Sequence, residues 1–166
     1  LFGDFHWTLF GDFHRSLTLE YKHADNDDIA SIFAIQKRNV QLYEDQTVVD
    51  LREVLQQMQD HLQTNIESYT KIVCGENVVG YYRCKESYDF SYDLSFLYIL
   101  QQYRKRGIGT QVLDHIKESC EDPLQIIIYL KQVEIYDFLV EREFVVQSQI
   151  SHSKISLKYD KKNKIG

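Results

Sequence analysis

The chain has 166 residues, of which 43% are hydrophobic and 27% are charged, and its formal net charge at pH 7 is −6. A chain of this length and composition is typical of a single globular domain that buries its own core. The negative charge argues against a general nucleic-acid-binding protein, which usually presents a basic face. No apolar run approaches the roughly 18 residues of a membrane-spanning helix, so neither nucleic acid nor membrane is an expected partner.

The chain contains three cysteines, Cys74, Cys84 and Cys120. Their number is odd and no two of them form a C-x-x-C motif, so neither a disulfide framework nor a zinc site is indicated. Unpaired thiols are typical of a reducing compartment, and no stretch combines the basic start and apolar middle of a signal peptide. We therefore expect a cytoplasmic protein.

Residues 1–16 contain a near-perfect repeat, because LFGDFH occupies both 1–6 and 9–14. The segment is either left over from cloning, which we favour, or an arm whose phenylalanines dock on the domain or on a second subunit, giving a homodimer. A third interpretation is a metal site formed by Asp4, His6, Asp12 and His14. It is the least favoured, since no predicted helix or turn fixes these side chains. We expect a domain at 17–160, no metal, and a basic tail at 161–166.

The first part of the domain predicts one strand and two helices. Leu17, Leu19 and Tyr21 alternate with polar residues, which is typical of a strand. The acidic cluster at 25–28 is rich in helix-capping residues and predicts a helix start. Thr47 with Asp50 three positions later predicts the start of a second helix. Both helices have apolar residues at helical spacing, namely Ile29, Ile32, Phe33 and Val40, then Leu51, Val54, Leu55, Met58 and Leu62.

Three strands are predicted next. Residues 69–74 and 78–84 flank Gly75-Glu76-Asn77, which is typical of a hairpin. From Asp89 to Phe96 the sequence alternates between polar and apolar side chains. This alternation predicts one long strand with an aromatic face (Phe90, Tyr92, Leu94, Phe96, Tyr98) and a polar face (Asp89, Ser91, Asp93, Ser95). The polar face of a central strand is a suitable place for catalytic side chains.

A basic, glycine-containing loop, RKRGIG at residues 104–109, joins this strand to an amphipathic helix that carries Ile108, Val112, Leu113 and Ile116. A helix start offers unpaired amides and the positive end of the helix dipole, and glycine lets an anion approach the backbone. The pattern predicts that the amides of residues 104–110 hold phosphate. The loop lacks the Lys-Ser/Thr ending of nucleotide hydrolases and the third glycine of a dinucleotide site.

The remainder predicts a strand, a helix and a hairpin. Pro123 precedes an apolar run at 124–130 that fits a buried, parallel strand. A helix is expected from about Gln132 to Arg142, and residues 144–146 and 155–159 form the final hairpin. The predicted order is β-α-α-β-β-β-α-β-α-β-β, an α/β fold around a central mixed sheet.

The loop resembles the acyl-CoA-binding loop of the GNAT N-acetyltransferase superfamily, whose pattern is Arg/Gln-x-x-Gly-x-Gly/Ala. The residues before it, Leu97-Tyr98-Ile99, and after it, Gly109-Thr110-x-Val112-Leu113, also resemble that family. The order of elements is similar to the GNAT fold over about residues 17–160. A second family motif is degenerate: Phe138 and Phe144 agree, whereas Gln132, Leu139 and Glu143 stand where the family often has Asn, Tyr and Gly.

This resemblance implies an acyl-CoA N-acyltransferase that uses acetyl-CoA as co-substrate and a small-molecule or peptide amine as acceptor. The helix pair would wall the acceptor groove. The backbone at Ile99 and Leu100 would meet the pantetheine arm and the thioester carbonyl. The diphosphate would lie against the loop residues Arg104, Lys105, Arg106, Gly107, Ile108, Gly109 and Thr110.

The catalytic residues are less defined by the resemblance. Asp93 is the first candidate for the general base, because it lies near the position where the family often has Glu; Glu20 and Asp89 are weaker candidates. The family often uses a tyrosine as the acid, and Leu139 stands at that position, so Tyr136, one turn earlier, or solvent must supply the proton. A non-catalytic acyl-CoA-binding sensor or interaction module of the same fold therefore remains an alternative, and an anion-binding interaction domain without a CoA role is a third, weaker one.

Overall fold

In a computed structural model, the protein is described over residues 17–87, 91–120 and 123–161. The described residues form four helices and seven strands, in the order β1 (Glu20–His23), α1 (Ile29–Tyr43), α2 (Leu51–Asn65), β2 (Thr70–Cys74), β3 (Asn77–Glu86), β4 (Tyr92–Ile99), α3 (Ile108–Ser119), β5 (Leu124–Tyr129), α4 (Val133–Glu141), β6 (Val145–Gln149) and β7 (Lys154–Tyr159). This order confirms the predicted one. The repeat at 1–16, Asp89 and Phe90 lie outside the described residues.

All seven strands belong to one sheet with the order β1-β2-β3-β4-β5-β7-β6. The pair β4–β5 is parallel, and the other neighbouring pairs are antiparallel. The predicted α/β fold around a mixed sheet is therefore confirmed. None of the helices in this described part of the chain is long and apolar enough to cross a membrane.

Aspartates fix where the first two helices begin. Asp25 and Asp28 form a reciprocal capping box on the short turn that leads into α1. Asp50 accepts hydrogen bonds from two amides in the first turn of α2, and such a cap is worth about 1 kcal/mol. Thr47 takes no part in this cap, because its hydroxyl donates to Asp45 at 2.6 Å instead. The acidic cluster at 25–28 thus places the start of α1 correctly, whereas the start of α2 is set by Asp50 and lies three residues after the position that a Thr47 cap predicts.

The sheet separates two hydrophobic clusters. Helices α3 and α4 pack on one face, together with fully buried residues such as Leu94, Leu113 and Leu139. Helices α1 and α2 pack on the other face, where Ile32 and Leu62 are fully buried. We refer to these two sides below as the α3/α4 face and the α1/α2 face.

A β-bulge at Ser95 reverses the alternation of side chains along β4. Leu94 pairs with Cys84, whereas Phe96 pairs with the residue immediately before Cys84, so Ser95 is an extra residue in β4. Leu94 packs on the α3/α4 face, whereas Phe96 and Tyr98 pack on the α1/α2 face. The predicted single aromatic face of this strand is therefore wrong, because one extra residue exchanges the two faces beyond it.

Candidate functional site

Strands β4 and β5 separate immediately after the bulge. They pair only where Tyr92–Leu94 meets Leu124–Ile126. Beyond these residues β4 continues to Ile99 and β5 continues to Tyr129, and the two segments do not pair with each other. The resulting gap between residues 95–99 and 127–129, which we name the wedge, exposes backbone groups in the middle of the sheet.

The hydrogen bonds around β4 show which backbone groups face the wedge. The Leu100 amide donates to the Val79 carbonyl at 2.8 Å, so it points towards β3. Successive residues of a strand point their backbone groups in opposite directions, so those of Leu97 and Ile99 face the wedge. Arg104 Nε donates to the Ile99 carbonyl at 2.8 Å, in agreement with this direction. Of the two predicted backbone positions, Ile99 thus faces the wedge, whereas the Leu100 amide is used within the sheet.

The loop after β4 presents a row of backbone amides that have no hydrogen-bond partner in the described part of the chain, and we call them the unpaired amides. The Arg104 amide donates to the Gln101 carbonyl at 3.2 Å, and the Gln111 amide donates to the Gly107 carbonyl at 3.0 Å. Between them, the amides of residues 105–110 donate to no acceptor within residues 17–87, 91–120 and 123–161. These amides form the start of α3, where the helix dipole adds partial positive charge. The segment is therefore chemically suited to hold an anion.

The two glycines of the loop have different roles. Gly107 caps α3 with φ +80°, a conformation that side chains rarely adopt, and a Cβ there would meet no atom within 4 Å. At Gly109 a Cβ would lie 3.4 Å from the Phe138 ring and 3.9 Å from the Ile99 side chain. Gly107 thus permits the turn itself, whereas a Cβ at Gly109 would make ordinary van der Waals contacts with Phe138 and Ile99.

The loop itself carries three consecutive cationic side chains. Arg104, Lys105 and Arg106 are exposed, and none of them forms an ion pair with a carboxylate in the described part of the chain. The Arg104 guanidinium lies 4.9 Å from the centre of the Tyr98 ring. The cationic charge is therefore available to a ligand, while stacking restricts the position of one arginine.

The structure adds a fourth cation, Arg142, which the sequence analysis missed. Its guanidinium extends from the end of α4 to Thr110 Oγ1, at 3.2 Å from Nε and 2.6 Å from Nη2, and lies 3.8 Å from the centre of the Phe138 ring. Thr110 and Arg142 are 32 positions apart, so no local spacing indicates their contact. Their proximity follows only from the packing of α4 against the start of α3.

The two predicted catalytic side chains lie on opposite faces of the sheet. Asp93 is half-buried and precedes Leu94, so it belongs to the α1/α2 face at the closed end of the wedge. Tyr136 is half-buried against the α3/α4 cluster, and among the described residues no hydrogen-bond partner of its hydroxyl is found. Leu139 is fully buried. Asp93 pairs with Gln125 in the part of the sheet that stays closed, two residues before the bulge, so these two side chains do not lie together.

Of the two weaker base candidates, Glu20 is described by the structure and lies far from the wedge. Glu20 lies on β1, at the edge of the sheet and three strands from β4, which corresponds to about 14 Å at the usual strand spacing. Its carboxylate pairs with Lys22 at 3.5 Å. Asp89 lies outside the described residues.

A polar cluster joins the end of α1 to the β6–β7 hairpin beside the open end of the wedge. The Glu44 side chain is 8% exposed, and its Oε1 lies 3.0 Å from His152 Nε2. Burial acts to raise the pKa of Glu44, but the hydrogen bond from Ser153, the Asp45 amide and nearby positive charges outweigh burial and lower it. Burial, followed by the charge of Glu44, raises the pKa of Tyr129, the last residue of β5, to about 12. This cluster connects the end of α1 to the β6–β7 hairpin and to the last residue of β5.

Comparisons with known proteins identify relatives of this fold. The family described as "Acetyltransferase (GNAT) family" matches residues 27–144, more than half of the chain. Among curated protein sequences, none matches the chain significantly. Within the residues that the structure describes, no group of three or more His, Cys, Asp or Glu side chains could hold a metal ion.

Several solved structures share the fold. An acetyltransferase from Thermus thermophilus is 17% identical with a TM-score of 0.65, over 86% of this chain and 97% of that chain. An N-acetyltransferase from Staphylococcus aureus is 14% identical with a TM-score of 0.66, over 84% and 100%. The PaiA N-acetyltransferase from Thermoplasma acidophilum, solved in complex with coenzyme A, is 12% identical with a TM-score of 0.61, over 87% and 99%. At these identities the similarity shows the fold.

Proposed function

This chain belongs to the GNAT family of acetyltransferases, as its loop motif predicted, and from that premise we propose that it transfers an acetyl group from acetyl-CoA to a primary amine. The observation that carries the proposal is the row of unpaired amides at residues 105–110, which lies directly after the strand that borders the wedge. The coenzyme A complex of the PaiA relative supports the same donor.

The proposed binding mode uses the backbone first and charge second. The amides of residues 105–110 donate to the diphosphate at the start of α3, and Arg104, Lys105 and Arg106 neutralise its charge. The pantetheine arm then lies in the wedge against the backbone of Leu97 and Ile99, taking hydrogen bonds that β5 would otherwise make. This arrangement places the thioester in the wedge, which is open to both faces of the sheet.

Acyl transfer requires a proton to leave the attacking amine and another to reach the departing thiolate. The amine nitrogen forms a bond to the thioester carbonyl carbon, and the carbon–sulfur bond breaks. An amide of β4 that faces the wedge stabilises the negative charge that develops on the carbonyl oxygen. Asp93 accepts the proton of the amine through a water, and either Tyr136 or solvent gives a proton to the thiolate.

The acceptor approaches from the α1/α2 face, where Asp93 lies and where the Glu44–His152 contact connects the end of α1 to the β6–β7 hairpin. We propose a small-molecule or peptide amine as the acceptor. One relative of this fold, the N-acetylglutamate synthase from Neisseria gonorrhoeae, was solved with coenzyme A and N-acetyl-glutamate, which supports a small amine as the first class to test.

A second function is favoured by one observation. Leu139 stands where the family often has the tyrosine acid, and it is fully buried. A protein without a proton donor at that position could bind acyl-CoA as a sensor or interaction module without catalysis. The two functions share the same donor site and differ in turnover.

Two measurements separate these functions. Calorimetric titration with acetyl-CoA tests the donor site, and absence of binding would refute both. A thiol-release assay with acetyl-CoA and a panel of amines (a polyamine, an aminoglycoside, free amino acids and a peptide N-terminus) tests turnover. We expect release with at least one amine; binding without release across the panel would favour the non-catalytic module.

A further inference from the structure

In the contact between Arg142 and Thr110, one hydroxyl oxygen accepts hydrogen bonds from two nitrogens of the same guanidinium. A threonine hydroxyl has two acceptor lone pairs and one proton to donate. Both Nε and Nη2 of Arg142 donate to the same Oγ1, at 3.2 and 2.6 Å. Both donors approach Oγ1 from the same edge of the guanidinium, so they share its lone-pair side, and the hydroxyl proton has to point away from the cation. No acceptor for that proton is found among the described residues.

Thr110 lies where its hydroxyl hydrogen can reach an anion bound at the start of α3. Thr110 is the third residue of α3, and its backbone amide belongs to the unpaired row at the helix start. One residue thus presents two unused donors, an amide and a hydroxyl, beside a helix dipole that favours anions. Arg142 lies behind the hydroxyl as a cation whose nearest carboxylate, that of the exposed Glu141, is 3.7 Å away.

We propose that Arg142 is a positioning residue for the acyl donor: it fixes the Thr110 hydroxyl as an obligatory hydrogen-bond donor to the diphosphate. This inference rests on the proposed function, because it assigns a role within the same donor site. Arg142 acts through Thr110, since its planar fork is already engaged with Oγ1 and with the Phe138 carbonyl, which accepts from Nη1 at 2.9 Å. Without the Arg142 guanidinium, the Thr110 hydroxyl could rotate and would donate to the diphosphate only part of the time.

The bond to the Phe138 carbonyl means that Arg142 also supports the end of α4. A loss of binding in an Arg142 variant is therefore informative only if it depends on the phosphate part of the ligand. Coenzyme A and pantetheine provide this contrast, because pantetheine has the same thiol arm without the diphosphate and the adenosine 3′-phosphate. A purely structural role would weaken the binding of both ligands, whereas the proposed role weakens only that of coenzyme A.

The experiment measures the Kd of coenzyme A and of pantetheine by calorimetry, and the melting temperature, for the unchanged protein and its variants. We expect Arg142→Gln and Thr110→Val each to weaken coenzyme A binding by roughly 10- to 100-fold and to leave pantetheine binding unchanged. Their double variant should be no weaker than either single variant, because both changes remove the same hydrogen bond. Thr110→Ser retains the hydroxyl and should bind as the unchanged protein does.

Two further variants separate geometry from charge. Arg142→Lys keeps the charge but places at most one donor on Oγ1, so we expect it to lose binding as Arg142→Gln does. Arg38→Gln removes an exposed arginine from α1 and should change neither Kd. Unchanged coenzyme A affinity in Arg142→Gln, additive losses in the double variant, or full affinity in Arg142→Lys would overturn the role of Arg142. Absence of coenzyme A binding by the unchanged protein would instead overturn the proposed function, and the inference with it.

Discussion

Replacing Gly107 with glutamate places a carboxylate in front of the unpaired amides that we assign to the diphosphate. Gly107 is exposed, caps α3 with φ +80°, and has no atom within 4 Å of the position that a Cβ would take. A side chain at this position therefore meets no steric obstacle. Its carboxylate would compete for the same amides and would repel the diphosphate.

Two effects of this change can be separated by magnitude. An L-residue in the left-handed conformation costs about 1–2 kcal/mol, which lowers the melting temperature of a chain of this size by roughly 2–8 °C. A hydrogen bond to a charged group is worth about 1.5–3 kcal/mol. Losing two such bonds weakens binding by about 3–6 kcal/mol, or roughly 10²- to 10⁴-fold in the Kd of coenzyme A.

The assay compares three variants at this position by calorimetric titration with coenzyme A and by thermal unfolding. Gly107→Ala, Gly107→Gln and Gly107→Glu share the same backbone strain, so we expect similar decreases in melting temperature. Alanine should retain binding, the neutral glutamine should lose some, and glutamate should lose it almost entirely. If the glutamate variant binds coenzyme A as well as the alanine variant does, the diphosphate does not lie at the start of α3.

Three further predictions test other parts of the structure. Glu143 has φ +73°, so Glu143→Gly should relieve the strain and stabilise the protein by about 1 kcal/mol, seen as a melting temperature roughly 2–4 °C higher. Since the folded-state pKa of Glu44 is lowered, its carboxylate stabilises the fold above the ordinary carboxyl pKa, and this contribution disappears as the pH falls through the lowered pKa. Denaturant unfolding should therefore show Glu44→Gln less stable than the unchanged protein at pH 7 and a shrinking difference below about pH 4.3; a constant difference would contradict this sign. In a thiol-release assay with an accepted amine, Asp93→Asn should lower kcat by about 10²- to 10⁴-fold with unchanged affinity for coenzyme A, whereas Tyr136→Phe should lower kcat only if Tyr136, rather than solvent, protonates the thiolate.

The sequence predicts the elements and the loop because both depend on local patterns. Helical spacing and the acidic caps define α1 and α2, and the loop motif lies on consecutive residues between a strand and a helix. The contact of Arg142 with Thr110 depends instead on how α4 packs against α3, which no spacing encodes. The backbone conformation of Glu143 could be predicted in part. Its alignment with a family glycine indicates a position with positive φ, which the structure has.

The bulge at Ser95 was missed for a different physical reason. A bulge is visible in a sequence when it brings a polar residue onto an apolar face or the reverse, and both faces of β4 are apolar beyond Ser95. From Phe96 to Ile99 every side chain is apolar or aromatic, so the polarity of these residues carries no information about the register. The register shift against β3 reveals the extra residue, and that register depends on a partner strand rather than on β4 itself.

The bulge at Ser95 determines both which backbone groups of β4 face the wedge and which β4 side chains pack around the candidate site. Before it, the Tyr92 amide donates towards β5, to the Pro123 carbonyl; after it, the backbone of Leu97 and Ile99 faces the same side. In a regular strand the backbone of Phe96 and Tyr98 would face the wedge, and their rings would point into the α3/α4 core. The bulge instead brings Ile99 against Gly109 at the start of α3 and puts Tyr98 on the α1/α2 face, where its ring lies 4.9 Å from the Arg104 guanidinium. One inserted residue thus lies where the wedge begins and determines which side chains border it.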